Sequence, residues 1–199
     1  SDESHNIYIL KNGALVGWLD LQDELRPESA EVVKYLKSKG IKTILLSGDR
    51  LAKTRQVGDA LGIDEVIAEQ TPQQKLATIA ALTAQAPTIM VGDGINDAPA
   101  LAKATIGISM SDATQVAVQS AQVVLMSSGL TKLPTALGLG SHTYLTIKQN
   151  LFWAFFYNII AIPIAAFGLL TPMFAALAMG FSDVVLGINS VRLFVKKVV

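Results

Sequence analysis

The apolar positions of residues 7–125 fall into short blocks whose spacing alternates between a strand-like and a helix-like period. The first two blocks, 7–10 and 14–20, flank Asn12 and Gly13. An Asn-Gly pair between apolar runs is the strongest short signal for a tight hairpin turn, so these two blocks are predicted to pair. Later blocks of β-branched and aliphatic residues predict strands at 41–46, 65–68, 87–91, 105–109 and 121–125.

Helices are predicted between these strands from their apolar faces and from the residues that begin and end them. The first opens at Pro27 and closes at Gly40. The others are predicted at 50–61 and from Thr71, Asn96 and Asp112 onward. Strands that alternate with helices predict an α/β domain with a Rossmann-type parallel sheet and right-handed crossovers.

The remaining third of the chain has a different pattern, because long apolar runs replace the short blocks. Residues 130–150 predict a helix that leads directly into an apolar run at 151–170, and a turn at 170–172 precedes a second run at 173–194. Each run is close to the ~20 residues that cross ~30 Å of hydrocarbon, so a two-helix transmembrane hairpin is predicted. Two buried core helices are the alternative, which would need far more protein around them.

Positive residues lie only at the outer ends of this hairpin. Lys148 precedes the first run, whereas Arg192, Lys196 and Lys197 end the second, and the turn is uncharged. The excess of positive charge predicts that both termini of the hairpin lie in the cytoplasm.

Composition supports a chain with two parts. Hydrophobic residues make up 51% and charged residues 16%, and the mean hydropathy is +0.43, which is too apolar for one soluble domain. A net charge of zero gives no indication of nucleic-acid binding, and the absence of cysteine excludes disulfides and thiolate metal sites within this chain. The polar start has neither Met nor a signal peptide, so we expect a C-terminal piece of a longer protein.

Candidate chemistry lies at the carboxyl ends of two predicted strands, where ligands bind in parallel sheets. Ser47, followed by Gly48 and Asp49, offers a hydroxyl and backbone N–H groups, and Lys75 offers a point charge for a phosphoryl group. Asp93 and Asp97 lie in a glycine-rich turn and offer hard oxygens for Mg²⁺. Together these groups supply the charge neutralisation, positioning and metal that phosphoryl transfer requires.

Each of these signals has a simpler explanation. Ser-Gly-Asp alone is usually a turn, and a single helical Lys is usually solvated. The density of Gly and Asp at 92–99 is harder to explain unless the backbone approaches a ligand. The chain offers no convincing nucleophile, because Asp20 and Asp23 follow the wrong strand and have the wrong neighbours.

The turn at 92–101, Gly-Asp-Gly-Ile-Asn-Asp-Ala-Pro-Ala-Leu, resembles the hinge signature of P-type ATPases, which have a haloacid-dehalogenase-like fold. Ser47-Gly48-Asp49 is similar to the Thr-Gly-Asp motif of that family, and residues 71–75 are similar to its Thr-Pro-x-x-Lys motif. Two membrane helices after the phosphorylation domain resemble the heavy-metal branch. The resemblance implies a partial phosphorylation domain at 1–129, a stalk helix at 130–150 and a transmembrane hairpin at 151–199.

The resemblance also implies roles for individual residues. Asp93 would hold Mg²⁺, with Asp97 as a weaker ligand that helps to orient the phosphoryl site, and Lys75 and Ser47 would contact the phosphoryl group. The remaining motif residues are expected to be catalytic or cofactor-binding: Gly48, Asp49, Gly92, Gly94 and Asn96.

Members of that family also carry a phosphorylated Asp, a nucleotide-binding domain that holds most of the ATP contacts, an actuator domain and further membrane helices. We expect this chain to need that rest of the pump as its partner, and not to turn over ATP alone. The expected location is the lipid bilayer of the plasma (inner) membrane.

Polar residues within the apolar runs are candidates for an ion pathway. Asp183 is near mid-bilayer, where a carboxylate costs roughly 2.5–3.5 kcal/mol, so it should face a partner or a pathway. Met179, Ser182 and Asp183 share one face of the second helix. In the first helix Pro163 frees a backbone carbonyl beside Asn158. Hydrogen bonding between the helices is the alternative explanation, most strongly for Tyr157 and Asn189.

Tyr157-Asn158 and Met179-x-x-Ser182 resemble signatures in the membrane helices of copper pumps, and a thioether suits Cu(I). Asp183 departs from that pattern, because copper pumps usually carry a second Ser there. Export of Cu(I) is therefore the first hypothesis, and a pump for another transition metal is the second. A membrane-anchored phosphatase and a non-catalytic, truncated metal-binding relative remain as alternatives.

Overall fold

The computed structural model describes residues 7–19, 24–126, 129–169 and 171–195. Its first element is the predicted hairpin, in which β1 (Ile7–Lys11) pairs antiparallel with β2 (Ala14–Leu19). Asn12 and Gly13 have φ angles of 52° and 79°, which are the paired positive values of a type I′ turn. The hairpin prediction is confirmed; its strand from 14 ends at Leu19, and position 20 lies outside the described residues.

Helices and short strands then alternate, as the sequence predicts. The first half of the domain contains α1 (Ser29–Ser38), β3 (Ile44–Leu46), α2 (Leu51–Leu61) and β4 (Glu65–Ile67). The second half contains α3 (Pro72–Gln85), β5 (Ile89–Gly92), a 3₁₀ helix (Ile95–Asp97), α4 (Ala98–Lys103), β6 (Ile106–Met110), α5 (Gln115–Ser120) and β7 (Val123–Leu125).

Two helices begin two or three residues later than predicted. The helix predicted from Pro27 begins at Ser29, after a turn. The helix predicted from Asp112 begins at Gln115, because the Thr114 side chain accepts a hydrogen bond from the Ala117 N–H and acts as the N-cap.

The parallel sheet is present in two blocks, which the sequence does not predict. Strand β3 pairs in parallel with β4, and β5, β6 and β7 form a second parallel block in that order. Strands β3 and β5 are not hydrogen-bonded to each other, yet Leu46 of β3 packs against the same apolar cluster as Met90 of β5. The two blocks therefore share a core without sharing a hydrogen-bond ladder.

Two apolar clusters hold the domain together. One lies around Leu101, which is fully buried, and includes Ile79 of α3, Met90 of β5 and Ala117 of α5. The other contains Val32, Ile108, Leu125 and Leu133. Because Leu133 is the first residue of the next long helix, this second cluster fixes that helix to the sheet.

A 3₁₀ turn (Gly129–Lys132) leads into α6 (Leu133–Ala166), a continuous helix of 34 residues. The predicted stalk and first apolar run are therefore one helix, which ends before 170 because Gly168 adopts a φ of 71°. The N–H groups of Gly168 and Leu169 donate to the carbonyls of Ala165 and Ile164, as in a Schellman C-cap. Helix α7 (Pro172–Val195) returns alongside α6, and both are long and apolar enough to cross a membrane.

Candidate functional site

A largely buried ion pair lies in the glycine-rich turn that follows β5. The Lys75 Nζ donates a hydrogen bond of 2.8 Å to Asp97 Oδ1, and the two side chains are only 14% and 15% exposed. The second oxygen of Asp97 accepts the N–H of Gly94 at 3.4 Å. Both oxygens of Asp97 are thus occupied by protein donors.

The two glycines of this turn make room for Asp97. A Cβ on Gly92 would lie 3.0 Å from the Asp97 Cβ, and one on Gly94 would lie 3.2 Å from Asp97 Oδ2. Both approaches are closer than ordinary van der Waals contact. The side chain of Asp97 therefore favours glycine at both positions, whether or not a ligand also approaches the turn.

The start of α3 explains how Lys75 reaches this turn. Thr71 and Gln74 form a reciprocal capping box, in which the Gln74 N–H donates to Thr71 Oγ1 and the Thr71 N–H donates to Gln74 Oε1. Pro72 occupies the first turn, where its missing N–H costs nothing. Lys75 follows one turn into the helix and is directed at Asp97.

Ser47, Gly48 and Asp49 form a tight turn at the end of β3. The Ser47 hydroxyl accepts the Asp49 N–H at 3.1 Å and lies 3.3 Å from Asp49 Oδ2. The Ser47 carbonyl accepts the N–H of Gln70, and a Cβ on Gly48 would lie 3.2 Å from the Gln70 carbonyl oxygen. Because Gln70 precedes the cap of α3, the backbone joins this turn to the helix of Lys75.

Asp93 differs from Asp97 in its surroundings. Its side chain is 55% exposed, and its carboxylate lies 3.7 Å from the Arg26 guanidinium, which is also 3.6 Å from Asp112. The Asp93 carbonyl accepts the Thr114 N–H, so the backbone of this residue is fixed while its carboxylate remains accessible.

Sequence reasoning did not assign Arg26 and Asp112 to the site. Asp112 follows β6 by two residues, as Asp93 follows β5 by one. The rule that ligands bind beyond strand ends could therefore have found Asp112. Nothing in the sequence pattern marks Arg26, whose position depends on how the loop before α1 folds.

The geometry favours Asp93 over Asp97 as a magnesium ligand. Asp93 has an accessible carboxylate with a charge partner beyond hydrogen-bond distance, whereas Asp97 is buried against Lys75. Among the described residues no three acidic or histidine side chains cluster as a metal site. Mg²⁺ commonly takes one or two carboxylates and completes its shell with phosphate oxygens and water, so one accessible carboxylate fits that chemistry.

The remaining predicted residues are not brought to one point by direct contacts. Asn96 is exposed on the 3₁₀ helix, and the described hydrogen bonds of Ser47 go to the 67–70 segment and Asp49. The Ser47 turn and the Asp93 turn lie at the carboxyl ends of different sheet blocks.

A second charged group fixes the opposite end of β3. The Lys37 ammonium donates to Asp64 at 2.8 Å, and Thr43 donates to the same carboxylate through its backbone N–H and its hydroxyl. These hydrogen bonds, led by that of Lys37, lower the pKa of Asp64 well below its ordinary range. This group joins α1 to the segments that begin β3 and β4.

The two long helices meet along a seam of half-buried residues: Ala154, Tyr157, Ala161, Ala175, Ala178 and Ser182. Small side chains allow helices to approach closely in lipid. The Tyr157 hydroxyl crosses this seam and donates to the Ala175 carbonyl at 3.4 Å.

The predicted ion-pathway residues divide between the seam and the outer surface. Tyr157 and Ser182 belong to the seam, whereas Met179 is 61% exposed, and Asn158 and Asp183 are also exposed. The Asn158 amide donates to the Ala154 carbonyl of its own helix. These side chains therefore do not converge between α6 and α7.

A polar clamp joins the two helices nearer the domain. Asn150 donates to Ser190 Oγ at 3.0 Å, and Asn189 donates to Asn150 Oδ1 at 2.8 Å. Hydrogen bonding between the helices, the simpler explanation for Tyr157 and Asn189, is thus present at both residues.

Comparisons with known proteins agree with this architecture. Residues 3–105 match the family model described as haloacid dehalogenase-like hydrolase. Over 188 residues the chain is 43% identical to a cation-transporting P-type ATPase B of Mycobacterium leprae, covering 94% of this chain and 25% of the relative. It is 41% identical to a copper-exporting P-type ATPase of Staphylococcus haemolyticus, covering 96% and 24%.

A crystal structure of a zinc-transporting PIB-type ATPase in an E2·Pi state superimposes with a TM-score of 0.84 at 33% identity, covering 94% of this chain and 31% of that one. The chain spans about a quarter of the length of the curated relatives. It is a piece of an integral membrane protein that belongs to the haloacid dehalogenase-like hydrolase family and, within it, to the heavy-metal P-type ATPases.

Proposed function

We propose that this chain supplies part of the phosphoryl-transfer site of an ATP-driven metal pump, together with two of its membrane helices. The observation that carries the proposal is the buried Lys75–Asp97 pair beside the accessible carboxylate of Asp93. Lys75 places a fixed positive charge at the turn, and Asp93 remains available for a cation. This division of roles is what electrostatic stabilisation of a transferred phosphoryl group requires.

Asp93 would hold Mg²⁺, which would supply charge neutralisation at the phosphoryl oxygens when bound. The other assigned residues would shape the surroundings. The Ser47 turn would offer its hydroxyl and N–H groups, Gly48 and Asp49 would keep that turn closed, and Asn96, Gly92 and Gly94 would maintain the loop of Asp97.

The nucleophile of this reaction would come from the part of the pump outside this chain. Strands β3 and β5 share a core but no hydrogen bonds, and each therefore has an edge available for pairing. A strand inserted in parallel between them would end between Ser47 and Asp93. An aspartate directly after that strand would lie at the proposed phosphoryl site.

The substitution Asp93→Asn tests the magnesium assignment in the complete pump. We expect phosphorylation from ATP to be lost, or to need much higher Mg²⁺, because the amide provides no anionic oxygen. Asp59→Asn, an exposed change on α2, is the matched control and should leave the Mg²⁺ dependence unchanged. Phosphorylation of the Asp93 variant with unchanged Mg²⁺ dependence would contradict the assignment.

The transported ion is proposed to be Cu(I). Met179 and Asp183 lie one turn apart on the outer surface of α7, so a further helix of the pump would have to complete an ion site with them. The soft sulfur of Met179 favours Cu(I), and the copper-exporting relatives support that choice. Asn158 is exposed on α6 and would contribute a neutral oxygen to that site, whereas Tyr157 and Ser182 lie in the seam and would contribute theirs between the two helices.

Transport of Zn²⁺ is the second candidate, and one residue favours it. Asp183 is a carboxylate, which suits a borderline divalent ion better than Cu(I), and a zinc-transporting pump shares the fold of this chain. The bilayer would be the plasma membrane, with both termini of the hairpin in the cytoplasm.

Stimulation of ATPase activity by Cu(I), Zn(II) and Co(II) in wild type and Asp183→Ser separates these candidates. Copper export predicts stimulation by Cu(I) in both forms. Zinc transport predicts stimulation by Zn(II) that is lost when the carboxylate is removed. If no soft or borderline metal stimulates either form, the metal-pump assignment of these residues is wrong.

A further inference from the structure

Arg26 occupies a position between the phosphoryl site and the base of α6. Its guanidinium lies 3.7 Å from the Asp93 carboxylate and 3.6 Å from that of Asp112, and its side chain is 40% exposed. Both distances exceed those of a close charge-assisted hydrogen bond, so the guanidinium balances two carboxylates without being fixed by either.

The same guanidinium reaches the turn that precedes α6. A Cβ on Gly129 would lie only 3.0 Å from Arg26 Nη1, and Gly129 has a φ of 51°. Gly129 therefore provides both the left-handed backbone of this turn and the space for the guanidinium. Leu133, four residues later, packs in the core with Ile108 and Leu125 of the sheet.

We propose that Arg26 is a positioning residue that links the Asp93 carboxylate to the first turn of the stalk. In this proposal, which rests on the assignment of Asp93 to Mg²⁺, the guanidinium acts as an internal cation at Asp93 until a divalent cation takes its place. The displaced guanidinium then moves toward Asp112, and its contact with the Gly129 turn changes.

Simple electrostatics supports this competition. One carboxylate cannot fully neutralise both a guanidinium and a divalent cation, and the two positive charges repel at this separation. Asp112 offers the guanidinium a second carboxylate at nearly the same distance. The guanidinium can therefore leave Asp93 and still pair with a carboxylate. This exchange does not involve Asp97, because the Lys75 ammonium already pairs with its carboxylate at 2.8 Å.

Binding of Mn²⁺ to the complete pump without nucleotide tests the competition directly, with electron paramagnetic resonance as the readout. We expect Arg26→Gln to tighten Mn²⁺ binding about two- to fivefold, which is the range expected for removing an exposed ion pair. Arg26→Lys retains the charge and should stay near the wild-type affinity. Arg55→Gln removes an exposed arginine of α2 and serves as the matched control, with no change expected.

Two further variants separate the possible failures. Asp93→Asn should abolish this Mn²⁺ binding, and if it does not, the proposed magnesium site itself is wrong. If Asp93→Asn abolishes binding but Arg26→Gln leaves the affinity unchanged, only the role of Arg26 is wrong. Asp112→Asn alone should weaken Mn²⁺ binding, because Arg26 then loses its alternative partner and stays at Asp93. In the double variant with Arg26→Gln, Asp112→Asn should have no further effect. If it weakens binding equally in that double variant, Asp112 is a direct ligand and its proposed role is wrong.

The link to the stalk needs a readout other than binding. We expect Mn²⁺ to change the rate of amide hydrogen exchange at 129–136 in the wild type, and this change to disappear in Arg26→Gln. A wild type without any Mn²⁺-dependent change, or a variant with the same change as the wild type, would overturn the link.

Discussion

The α/β domain and the two-helix hairpin place polar and apolar side chains in opposite ways. The domain encloses apolar residues such as Leu101 and keeps a charged pair, Lys75 and Asp97, largely buried at one edge of the sheet. In the hairpin, large apolar side chains such as Phe155 and Phe181 are exposed, whereas Asn150 and Asn189 bond to each other between the helices.

This difference follows from the solvent of each region. Water drives apolar groups into the domain core, but lipid provides no such force between helices. Helix association in lipid depends on close packing of small residues and on hydrogen bonds across the seam. Substitutions should therefore have different consequences in the two regions, and four experiments test which forces stabilise each of them.

The largest effect is expected for a cavity in the domain core. Leu101→Ala should reduce the stability of the domain by about 3–5 kcal/mol, because Leu101 is fully buried. Hydrogen exchange at β5 and β6 measures this loss. Leu145→Ala on α6 removes the same atoms from an exposed position and should leave the domain unchanged. Equal losses of domain stability from both substitutions would contradict the proposed difference between the two regions.

A smaller loss is expected when the buried ion pair is broken. Lys75→Met should destabilise the domain by about 3 kcal/mol, because the Asp97 carboxylate then remains buried without its partner. The denaturant midpoint of the domain measures this effect. The double variant Lys75→Met with Asp97→Asn should recover most of the stability. A double variant as unstable as the single one would show that the unpaired charge is not the cause.

The clamp between the helices should contribute less. Asn189→Leu should weaken the hairpin by about 0.6–1.7 kcal/mol, the range for hydrogen bonds between membrane helices. Unfolding in mixed detergent micelles measures the change. Asn158→Leu is the matched control, since its amide bonds within its own helix and faces outward, and it should cause a smaller loss. The reverse order would contradict the seam described above.

The smallest effect is expected at Asp64, and it depends on pH. The pKa of Asp64 is lowered from its ordinary value of 3.8, chiefly by the Lys37 hydrogen bond, so its stabilising contribution is complete above pH 3.8. It is lost as the pH falls through the lowered pKa. Asp64→Asn should therefore be less stable than wild type at neutral pH, with a difference that shrinks below pH 3.8. The unfolding midpoint measures this, and a difference that grows in acid would contradict it.

The sequence predicts local features of the fold well. The Asn12-Gly13 turn, the alternation of strands and helices and the positions of both apolar helices are confirmed, because each depends on neighbouring residues. Helix starts are less accurate, since the cap at Thr114 depends on a side-chain hydrogen bond that several nearby residues could also form.

Features that depend on distant contacts could not be predicted in this way. The interruption between β3 and β5 is invisible in the pattern, because both strands have the same apolar character. The position of Arg26 depends on the packing of three loops. The orientation of Met179 and Asp183 depends on which face of α7 meets α6, and both helices are apolar on nearly every side.

Helix α6 runs without a break from Leu133 in the domain core to Ala166, and its 34 residues give a length of about 50 Å. Such a rod works as a lever arm, since a tilt of about 5° at its root displaces the far end by about 4 Å. A displacement of that size is comparable to one helical turn. In the proposed pump, a rearrangement of less than an ångström beside the sheet would therefore become a shift of several ångströms at the membrane end of α6.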